Sequence, residues 1–263
     1  IRDSRCADTS GRGNFRLRGR AGMARTGLWN LPAAPGAARR RAGAGLYSNA
    51  AGQCRDGGAA APVRVSPTGA GIARRRGRNA LAVAHDFLRT HVRPGAFALD
   101  ATAGNGHDTL FLCRLVGAAG RVLAFDVQPQ AVENTNARLR ENGCGQVGRA
   151  VLDSHANLAA YAAPGSVDAA VFNLGYLPGG DHGVFTTPGV SVPAMRTALE
   201  LLRPGGVMTV CVYYGGPQGM AEKDAVLAFL TSLPPEGYRV SVRDFSGRPG
   251  CPPNPVCIEK RAW

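Results

Sequence analysis

The chain has 263 residues, 44% of them hydrophobic, which is enough for a sizeable core in one large domain or two small ones. Its formal net charge of +13 arises in residues 1–78, which hold 16 arginines, no lysine and 3 acidic residues, whereas residues 79–263 hold 15 basic and 15 acidic ones. The high isoelectric point alone is therefore no argument for nucleic-acid binding. No apolar run approaches the roughly 18 residues of a membrane span. A membrane helix is therefore not expected. The seven cysteines form no CxxC pair, so a metal site is not expected either.

Residues 1–78 are rich in Arg, Gly, Ala and Pro, and their only aromatic residues are Phe15, Trp29 and Tyr47. Such a segment buries too little apolar surface to offset its ordering entropy, so we predict a disordered extension. Three interpretations stay open: a tail or translation artefact without function, in keeping with a first residue of Ile; an organellar targeting peptide; and an RNA-binding arm. The expected location is the cytoplasm, or an organelle if the segment is a targeting peptide.

From residue 79 onward the pattern predicts alternating helices and strands, which form one domain, 79–263. Helices are predicted over 79–92, 106–117, 129–143, 191–206 and 219–234, and the fourth of these is stopped by its Pro-Gly-Gly at 204–206. Strands are predicted over 97–101, 121–128, 148–154, 167–176, 207–216, 238–245 and 254–261. Such alternation implies an α/β fold with a doubly wound, mostly parallel sheet, and the last two strands imply an antiparallel C-terminal hairpin.

The first strand ends in LDATAGNG, and the turn after it is the first candidate ligand site, because ligands bind beyond the carboxyl ends of parallel strands. Gly104 and Gly106 would let the backbone approach a ligand closely, and the next helix offers free N–H groups. Thr109 stands where a dinucleotide-binding GxGxxG has its third glycine, which weakens an NAD interpretation. Asp126 ends the second strand and suits the ribose hydroxyls of NAD or S-adenosylmethionine equally, unless it merely starts the next helix.

Three later features favour S-adenosylmethionine over NAD. The segment FNLGY (172–176) ends the fourth strand and resembles the Asn-Pro-Pro-Tyr class of motif in amino-group methyltransferases. LLRPGG before the fifth strand is a common connection in S-adenosylmethionine-dependent methyltransferases. The chain closes with a hairpin and not with a second nucleotide-binding half. Together these features predict a class I methyltransferase with a Rossmann-like sheet.

Over residues 80–261 the sequence also resembles one bacterial methyltransferase family. The resemblance rests on DATAGNGHDTLFL, AFDVQ, the Ser154-His155 pair, FNLGYLPGGD, the GxAEK segment and the terminal PP…IEK. That family, long described as rRNA methylases, methylates 5-(aminomethyl)uridine, often 2-thiolated, at the tRNA wobble position. The resemblance implies S-adenosylmethionine as donor, the tRNA anticodon region as partner and a cytoplasmic setting. The chain departs from the family at YYGG (213–216) and SGRPGCPP (246–253), both near the expected RNA.

The first strand and its turn are expected to hold the methionine end of the cofactor. Asp100 would face the methionine amino group, directly or through water. The methionine and the ribose would be wrapped by the turn residues Ala103, Gly104, Asn105 and Gly106. His107 and Asp108 would anchor polar atoms of the cofactor at the start of the helix, although His107 could equally cap that helix.

The second and third strand ends are expected to hold the adenosine. Asp126 would accept the ribose hydroxyls, and Gln128 would lie beside the adenosine. Asp153 and Ser154 end the third strand, where adenine is usually held. His155 is either a substrate-side residue or a surface histidine whose hydrogen bonds are satisfied.

The fourth strand is expected to carry the reaction. Methyl transfer from a sulfonium is an in-line displacement that depends on positioning, and a primary amine, with a pKa of about 10.4 in lysine, must first lose a proton. We expect the side-chain carbonyl of Asn173 to accept a hydrogen bond from the amine, while Leu174 and Gly175 complete the cradle. Tyr176 would pack on the base or the charged centre. Asp181 would steer or accept the ammonium proton, unless it is only a turn residue.

Other functions stay open: methylation of another RNA amine such as an rRNA base, a nicotinamide-dependent oxidoreductase, and an RNA-binding module with an inert domain. In a neutral domain, tRNA phosphates need local basic sites, for which Arg243, Arg248, Lys260 and Arg261 are candidates unless they are ordinary solvated charges. The oligomeric state is open as well, with a homodimer among the alternatives.

Overall fold

The computed structural model describes residues 79–175, 185–213, 216–245 and 252–262, without the side chains of residues 216–218. The expected disorder of residues 1–78 and the boundary at residue 79 therefore concern a part of the chain that is not described. No helix within the described ranges is both long and apolar enough to cross a membrane.

The described residues form one seven-stranded sheet with helices packed on it. The strands are β1 (Phe97–Asp100), β2 (Arg121–Asp126), β3 (Gly148–Leu152), β4 (Val167–Leu174), β5 (Leu202–Val212), β6 (Tyr238–Val242) and β7 (Asn254–Lys260). The helices are α1 (Ala80–His91), α2 (His107–Val116), α3 (Pro129–Glu141), α4 (Pro188–Leu201) and α5 (Gly216–Thr231), with a 3₁₀ helix at His155–Ala160.

The strand order is β3-β2-β1-β4-β5-β7-β6, and the order reverses between β1 and β4. All pairs are parallel except β5–β7 and β6–β7, so the predicted parallel sheet with an antiparallel C-terminal hairpin is confirmed. The central strands are buried on both faces, as continuous apolar runs require. Leu99, Phe125 and Phe172 are fully buried, and Cys113 and Cys211 are buried core residues.

The clearest difference from the predicted elements lies at the end of α4. Pro-Gly-Gly at 204–206 was predicted to stop the helix and the strand to begin at residue 207, but the helix ends at Leu201, and residues 202–206 belong to β5. The register slips there, since Val167 pairs with Leu202 and Ala169 with Val207. Gly205 adopts a φ of +74°, a value that glycine tolerates, so Pro-Gly-Gly forms an irregularity at the start of the strand. The 3₁₀ helix after β3 was not predicted.

Candidate active site

A cavity of about 530 Å³ lies at the carboxyl ends of β1, β2 and β4, where the strand order reverses, and its size is typical of small-ligand sites, which span about 300–1,000 Å³. Most of the predicted cofactor residues line it: Ala103, Gly104, Asn105, His107, Asp108, Asp126, Gln128, Asp153, Ser154, His155, Asn173, Leu174 and Gly175. Residues without a predicted role line it as well, notably Leu81, Thr102, Val127, Phe185, Thr186 and Tyr213. The structure therefore brings residues from distant parts of the sequence to one place.

Asp100 does not line the cavity, contrary to the expectation that it faces the cofactor. Its side chain is fully buried, and its carboxylate accepts hydrogen bonds from the Thr109 hydroxyl at 2.6 Å and from the Thr102 backbone N–H at 3.1 Å. Burial, reinforced by the charge of Asp108, raises the pKa of Asp100 to about 7. Asp100 thus connects the turn, through Thr102, with α2, through Thr109, and lies beneath the residues that line the cavity.

Gly106 is also absent from the cavity wall, and a packing contact explains why it is glycine. Its φ is +76°, and a Cβ at this position would lie 2.9 Å from both the Cα and the Oγ1 of Thr135 on α3. The expected close approach to a ligand stays a prediction for Gly104, which lines the cavity, whereas Gly106 faces Thr135 instead. Gly106 provides the tight packing that a dinucleotide site obtains from its third glycine.

Asp126 is held in the cavity wall by two backbone donors. Its Oδ2 accepts the Gly104 N–H at 3.0 Å, and its Oδ1 accepts the Gln128 N–H at 2.9 Å. Because each carboxylate oxygen has two lone pairs, both can still accept a hydroxyl. The two interpretations of Asp126 are thus compatible, since one residue supports the chain before α3 and presents acceptors to the cavity.

The side chains at the end of β3 are engaged mainly with their own loop. Asp153 accepts hydrogen bonds from the Ser154 N–H, the Asn157 side chain and the Tyr161 hydroxyl, each at 2.7 Å. Ser154 caps the 3₁₀ helix by accepting the Ala156 N–H at 3.1 Å. These bonds use both lone pairs of Oδ1 and one of Oδ2, so Oδ2 can still accept one hydrogen bond, and the adenine role of Asp153 stays a prediction.

His155 has an open acceptor in the cavity wall. Its Nδ1 lies 3.1 Å from the Ala101 carbonyl oxygen, so Nδ1 carries the hydrogen and Nε2 carries the lone pair. Nε2 is buried and has no hydrogen-bond partner within the described residues. Burial lowers the pKa of His155, which favours the neutral ring. The interpretation of His155 as a surface histidine with satisfied hydrogen bonds is therefore wrong.

Asn173 is oriented by a chain of side chains that begins on α1. Its Nδ2 donates a short hydrogen bond to Oδ2 of Asp108, and Oδ1 of Asp108 lies 2.5 Å from Nε2 of His85. The Asn173 backbone N–H donates to the Thr102 hydroxyl at 2.7 Å. A carboxylate only accepts, so the amide NH₂ must face Asp108, and the carbonyl oxygen is the atom available to another donor. No sequence signal links His85 with Asp108, because they are 23 positions apart.

A buried carboxylate on α5 supports the end of β4. Glu222 accepts hydrogen bonds from the Thr186 hydroxyl at 2.6 Å and the Ser191 hydroxyl at 2.7 Å, while Thr186 accepts the Gly175 N–H at 2.9 Å. The GxAEK segment contains Glu222, but no role was predicted for it. Tyr176 and Asp181, the other two predicted catalytic residues, lie outside the described residues.

Comparison with known proteins identifies the family. The family model described as "Putative rRNA methylase" matches residues 122–259, which is more than half of the chain. The chain belongs to this family. The chloroplastic tRNA (mnm(5)s(2)U34)-methyltransferase of Arabidopsis thaliana is 32% identical over 186 residues, which cover 66% of this chain and 67% of the plant protein.

Two solved structures are similar over nearly their whole length. A "putative rRNA-methylase" from Clostridium thermocellum is 43% identical, with a TM-score of 0.67, over 70% of this chain and 98% of its own. A "putative methyltransferase" from Streptococcus mutans, in complex with SAH, is 38% identical, with a TM-score of 0.63, over the same shares. These comparisons confirm the expected family, the class I methyltransferase fold, the methyltransferase activity and S-adenosylmethionine as the methyl donor.

The topology separates the basic residues that were expected to meet RNA phosphates. β7 runs antiparallel to β5, with Asn254 opposite Val212, so Lys260, the last residue of β7, and Arg261 after it lie at the end of the sheet remote from the cavity. The Lys260 ammonium donates to main-chain carbonyls at the end of α4, with the shortest bond at 2.7 Å. Arg243 follows β6 at the same end of the sheet as the cavity but does not line it, and Arg248 lies outside the described residues.

A second groove, of about 650 Å³, adjoins the cavity and carries three other arginines. Arg89, Arg114 and Arg138 line it together with Phe111, and His107 lines both the groove and the cavity. Their guanidinium groups donate hydrogen bonds of 2.7 to 2.9 Å to Asp86, Asn142 and the Asn105 carbonyl oxygen, and each has further N–H groups. Residues 79–263 carry no net charge as a whole, but this groove brings three arginine side chains together.

Proposed function

We propose that the chain transfers a methyl group from S-adenosylmethionine to the nitrogen of the 5-aminomethyl group on the tRNA wobble uridine, with or without 2-thiolation. The observation that carries the proposal is the orientation of Asn173, whose amide nitrogen is taken by Asp108 and whose carbonyl oxygen is free to accept. An acceptor at this point selects a nucleophile that carries a hydrogen, such as an amine. The name of the Arabidopsis relative supports the same substrate.

The cavity wall offers a place for each part of the cofactor. The turn at Ala103, Gly104 and Asn105 would surround the methionine end, and the two oxygens of Asp126 would accept the ribose hydroxyls. Val127, which is exposed, would provide an apolar surface for the adenine ring. The free lone pair of His155 Nε2 would accept one hydrogen from a bound amino group, which would satisfy a buried polar atom.

When bound, S-adenosylmethionine supplies a methyl group attached to a positively charged sulfur. The amine nitrogen forms the new C–N bond as the C–S bond breaks, and the bond's electron pair remains on sulfur. Asn173 Oδ1 would accept one N–H of the amine, which turns the lone pair toward the methyl carbon. The amine must lose one proton in the process, and we retain Asp181 as the proposed acceptor or guide for that proton. Leu174, Gly175 and Tyr176 remain the proposed cradle.

The RNA would enter across the exposed aromatic residues at the cavity and along the arginines of the second groove. Phe185 and Tyr213 line the cavity and are exposed, so they can stack on unpaired bases such as those of an anticodon loop. Arg89, Arg114 and Arg138 would then meet phosphates beside the cavity. An RNA substrate in an organelle is a further proposal, drawn from the chloroplastic relative, and it would make residues 1–78 a targeting peptide.

Replacement of Asn173 by alanine tests the proposal. We expect the rate of methyl transfer to tRNA bearing 5-aminomethyluridine to fall about 100-fold, because a misplaced nucleophile loses its alignment. The affinity for S-adenosylmethionine, measured by titration calorimetry, should change little. Asn134→Ala is the control, since Asn134 bonds the side chain of Asn105 at 3.1 Å on the cofactor side. A wild-type rate in Asn173→Ala would refute the proposed role.

The second candidate is methylation of an amino group in rRNA, which the description of the matching family favours. The nucleophile in both candidates is a nitrogen with a hydrogen to donate, so the site itself does not separate them. Parallel assays with total tRNA and with ribosomal RNA from a strain that lacks the enzyme distinguish the two. Exclusive incorporation of methyl into rRNA would replace the tRNA proposal with this one.

A further inference from the structure

We propose that His85 is a positioning residue for methyl transfer: it donates from Nε2 to Asp108 and thereby holds the Asn173 carbonyl oxygen toward the acceptor nitrogen. The inference rests on the proposed function, because it explains how that function's central side chain is kept in one orientation. His85 belongs to α1, whereas Asp108 lies in the first turn of α2 and Asn173 is the second-last residue of β4, so three separate elements must meet.

The two oxygens of Asp108 are used for different purposes. Oδ1 receives His85 at 2.5 Å, and Oδ2 receives the amide of Asn173. The side chains of His85 and Asp108 are only 19% and 12% exposed, so water competes weakly for either bond. Because the carboxylate can only accept, His85 Nε2 must carry a hydrogen, and each bond restricts the rotation of the carboxylate that makes the other.

His85 is itself fixed by an aromatic contact. Its ring stacks on Phe111 of α2, with centroids 3.8 Å apart and planes at 6°, and the Arg89 guanidinium lies 5.1 Å from the Phe111 centroid. The imidazole therefore has one neighbour that sets its plane and another that sets its hydrogen bond. Asp108 lies in the first turn of α2, where free backbone N–H groups favour a negative charge.

Loss of His85 would leave one carboxylate oxygen of Asp108 without its side-chain donor. The carboxylate could then turn toward water, and the Asn173 amide would lose its fixed partner and sample the flipped orientation, in which NH₂ faces the amine. Two donors facing each other cannot form the aiming hydrogen bond. The rate of methyl transfer should therefore fall, whereas the contacts that Asp126 and the turn make with the cofactor should be retained.

The test compares His85→Ala with His85→Gln, whose side-chain amide can still donate to Asp108. We expect His85→Ala to lower kcat roughly 10- to 100-fold, the range seen when a group that orients a ligand is removed, with the Kd for S-adenosylmethionine nearly unchanged. His85→Gln should recover most of the rate. The control is His91→Ala, because His91 bonds the Phe87 carbonyl oxygen within α1 at 2.8 Å and contacts none of these residues.

A second readout needs no RNA. The side-chain ¹⁵N–¹H signals of Asn173 should shift in His85→Ala and stay in place in His91→Ala. A wild-type kcat in His85→Ala, a His85→Gln as slow as His85→Ala, or unchanged Asn173 signals would each overturn the inference. If the wild-type protein does not methylate aminomethyl tRNA, the proposed function fails, while the Asn173 signals still test the connection from His85 through Asp108.

Discussion

Replacing Gly106 by alanine tests why the turn before α2 needs a glycine at this position. The φ of +76° is unfavourable for alanine, and the added Cβ would lie 2.9 Å from the Thr135 backbone, so the neighbouring helix must shift. Gly143 provides a matched control, because its φ is +69° and a Cβ there would meet nothing within 4 Å. Both substitutions therefore carry a similar backbone penalty, and only Gly106→Ala adds a steric clash.

The expected magnitudes follow from these two contributions. A left-handed backbone costs alanine about 1–2 kcal/mol, which is the whole effect expected at Gly143. Forcing a methyl group into a closely packed contact adds about 1–3 kcal/mol, so Gly106→Ala should lower the free energy of unfolding by about 2–5 kcal/mol. The difference between the two variants isolates the contact between the turn and α3.

Urea unfolding of both variants measures this difference, and titration calorimetry with S-adenosylmethionine completes the comparison. We expect Gly106→Ala to be the less stable variant by at least about 1 kcal/mol. Equal stability of Gly106→Ala and Gly143→Ala, together with a selective loss of cofactor affinity in Gly106→Ala, would refute the packing explanation. That result would restore Gly106 to the role of admitting a ligand.

Three further predictions follow from the site. Asp126→Asn should weaken binding of S-adenosylmethionine roughly 10- to 100-fold in calorimetry, because the amide nitrogen cannot accept a ribose hydroxyl; an unchanged Kd would count against the ribose role. Arg114→Ala should reduce the salt dependence of tRNA binding by about one phosphate contact. Arg149 is exposed on β3 outside the second groove, so Arg149→Ala should leave the salt dependence unchanged. Equal effects of the two substitutions would contradict the proposal that the second groove binds phosphates. Between pH 5 and pH 8 the unfolding free energy of the wild type should fall by about 2–3 kcal/mol relative to that of Asp100→Asn. The reason is that the pKa of Asp100 is near 3.8 in the unfolded chain but about 7 in the folded one, so the folded protein holds the proton more tightly and loses stability as the pH rises. Parallel pH profiles of the two proteins would contradict this.

Local patterns were sufficient to predict the sheet and most of the cavity wall. Apolar runs followed by Asp126 or Asn173 mark the carboxyl ends of strands, and parallel strands bring those ends to one edge. Of the two glycines expected to face a ligand, Gly104 lines the cavity and Gly106 packs against α3. Whether a glycine faces a ligand or a helix depends on tertiary packing, here on Thr135, which is 29 positions beyond Gly106.

Long-range partners were beyond prediction from one sequence. His85 on an amphipathic helix and Glu222 on another helix have no spacing signal, since each acquires its role from residues on other elements. The basic residues of the hairpin illustrate a second limit. Lys260 ends β7 and Arg243 follows β6, and the antiparallel register of these two strands places them at opposite ends of the sheet. Only the register reveals which of them lies at the end that holds the cavity.

The central claim is that the cavity at the ends of β1, β2 and β4 serves the methylation of an amine aimed by Asn173. The most direct measurement is mass spectrometry of nucleosides from tRNA that carries 5-aminomethyluridine, after incubation with the protein and S-adenosylmethionine bearing a deuterated methyl group. We expect the label on the exocyclic nitrogen of the wobble nucleoside. Unmodified aminomethyl nucleoside after full incubation with active, cofactor-binding protein, or label on carbon or ribose oxygen, would contradict it.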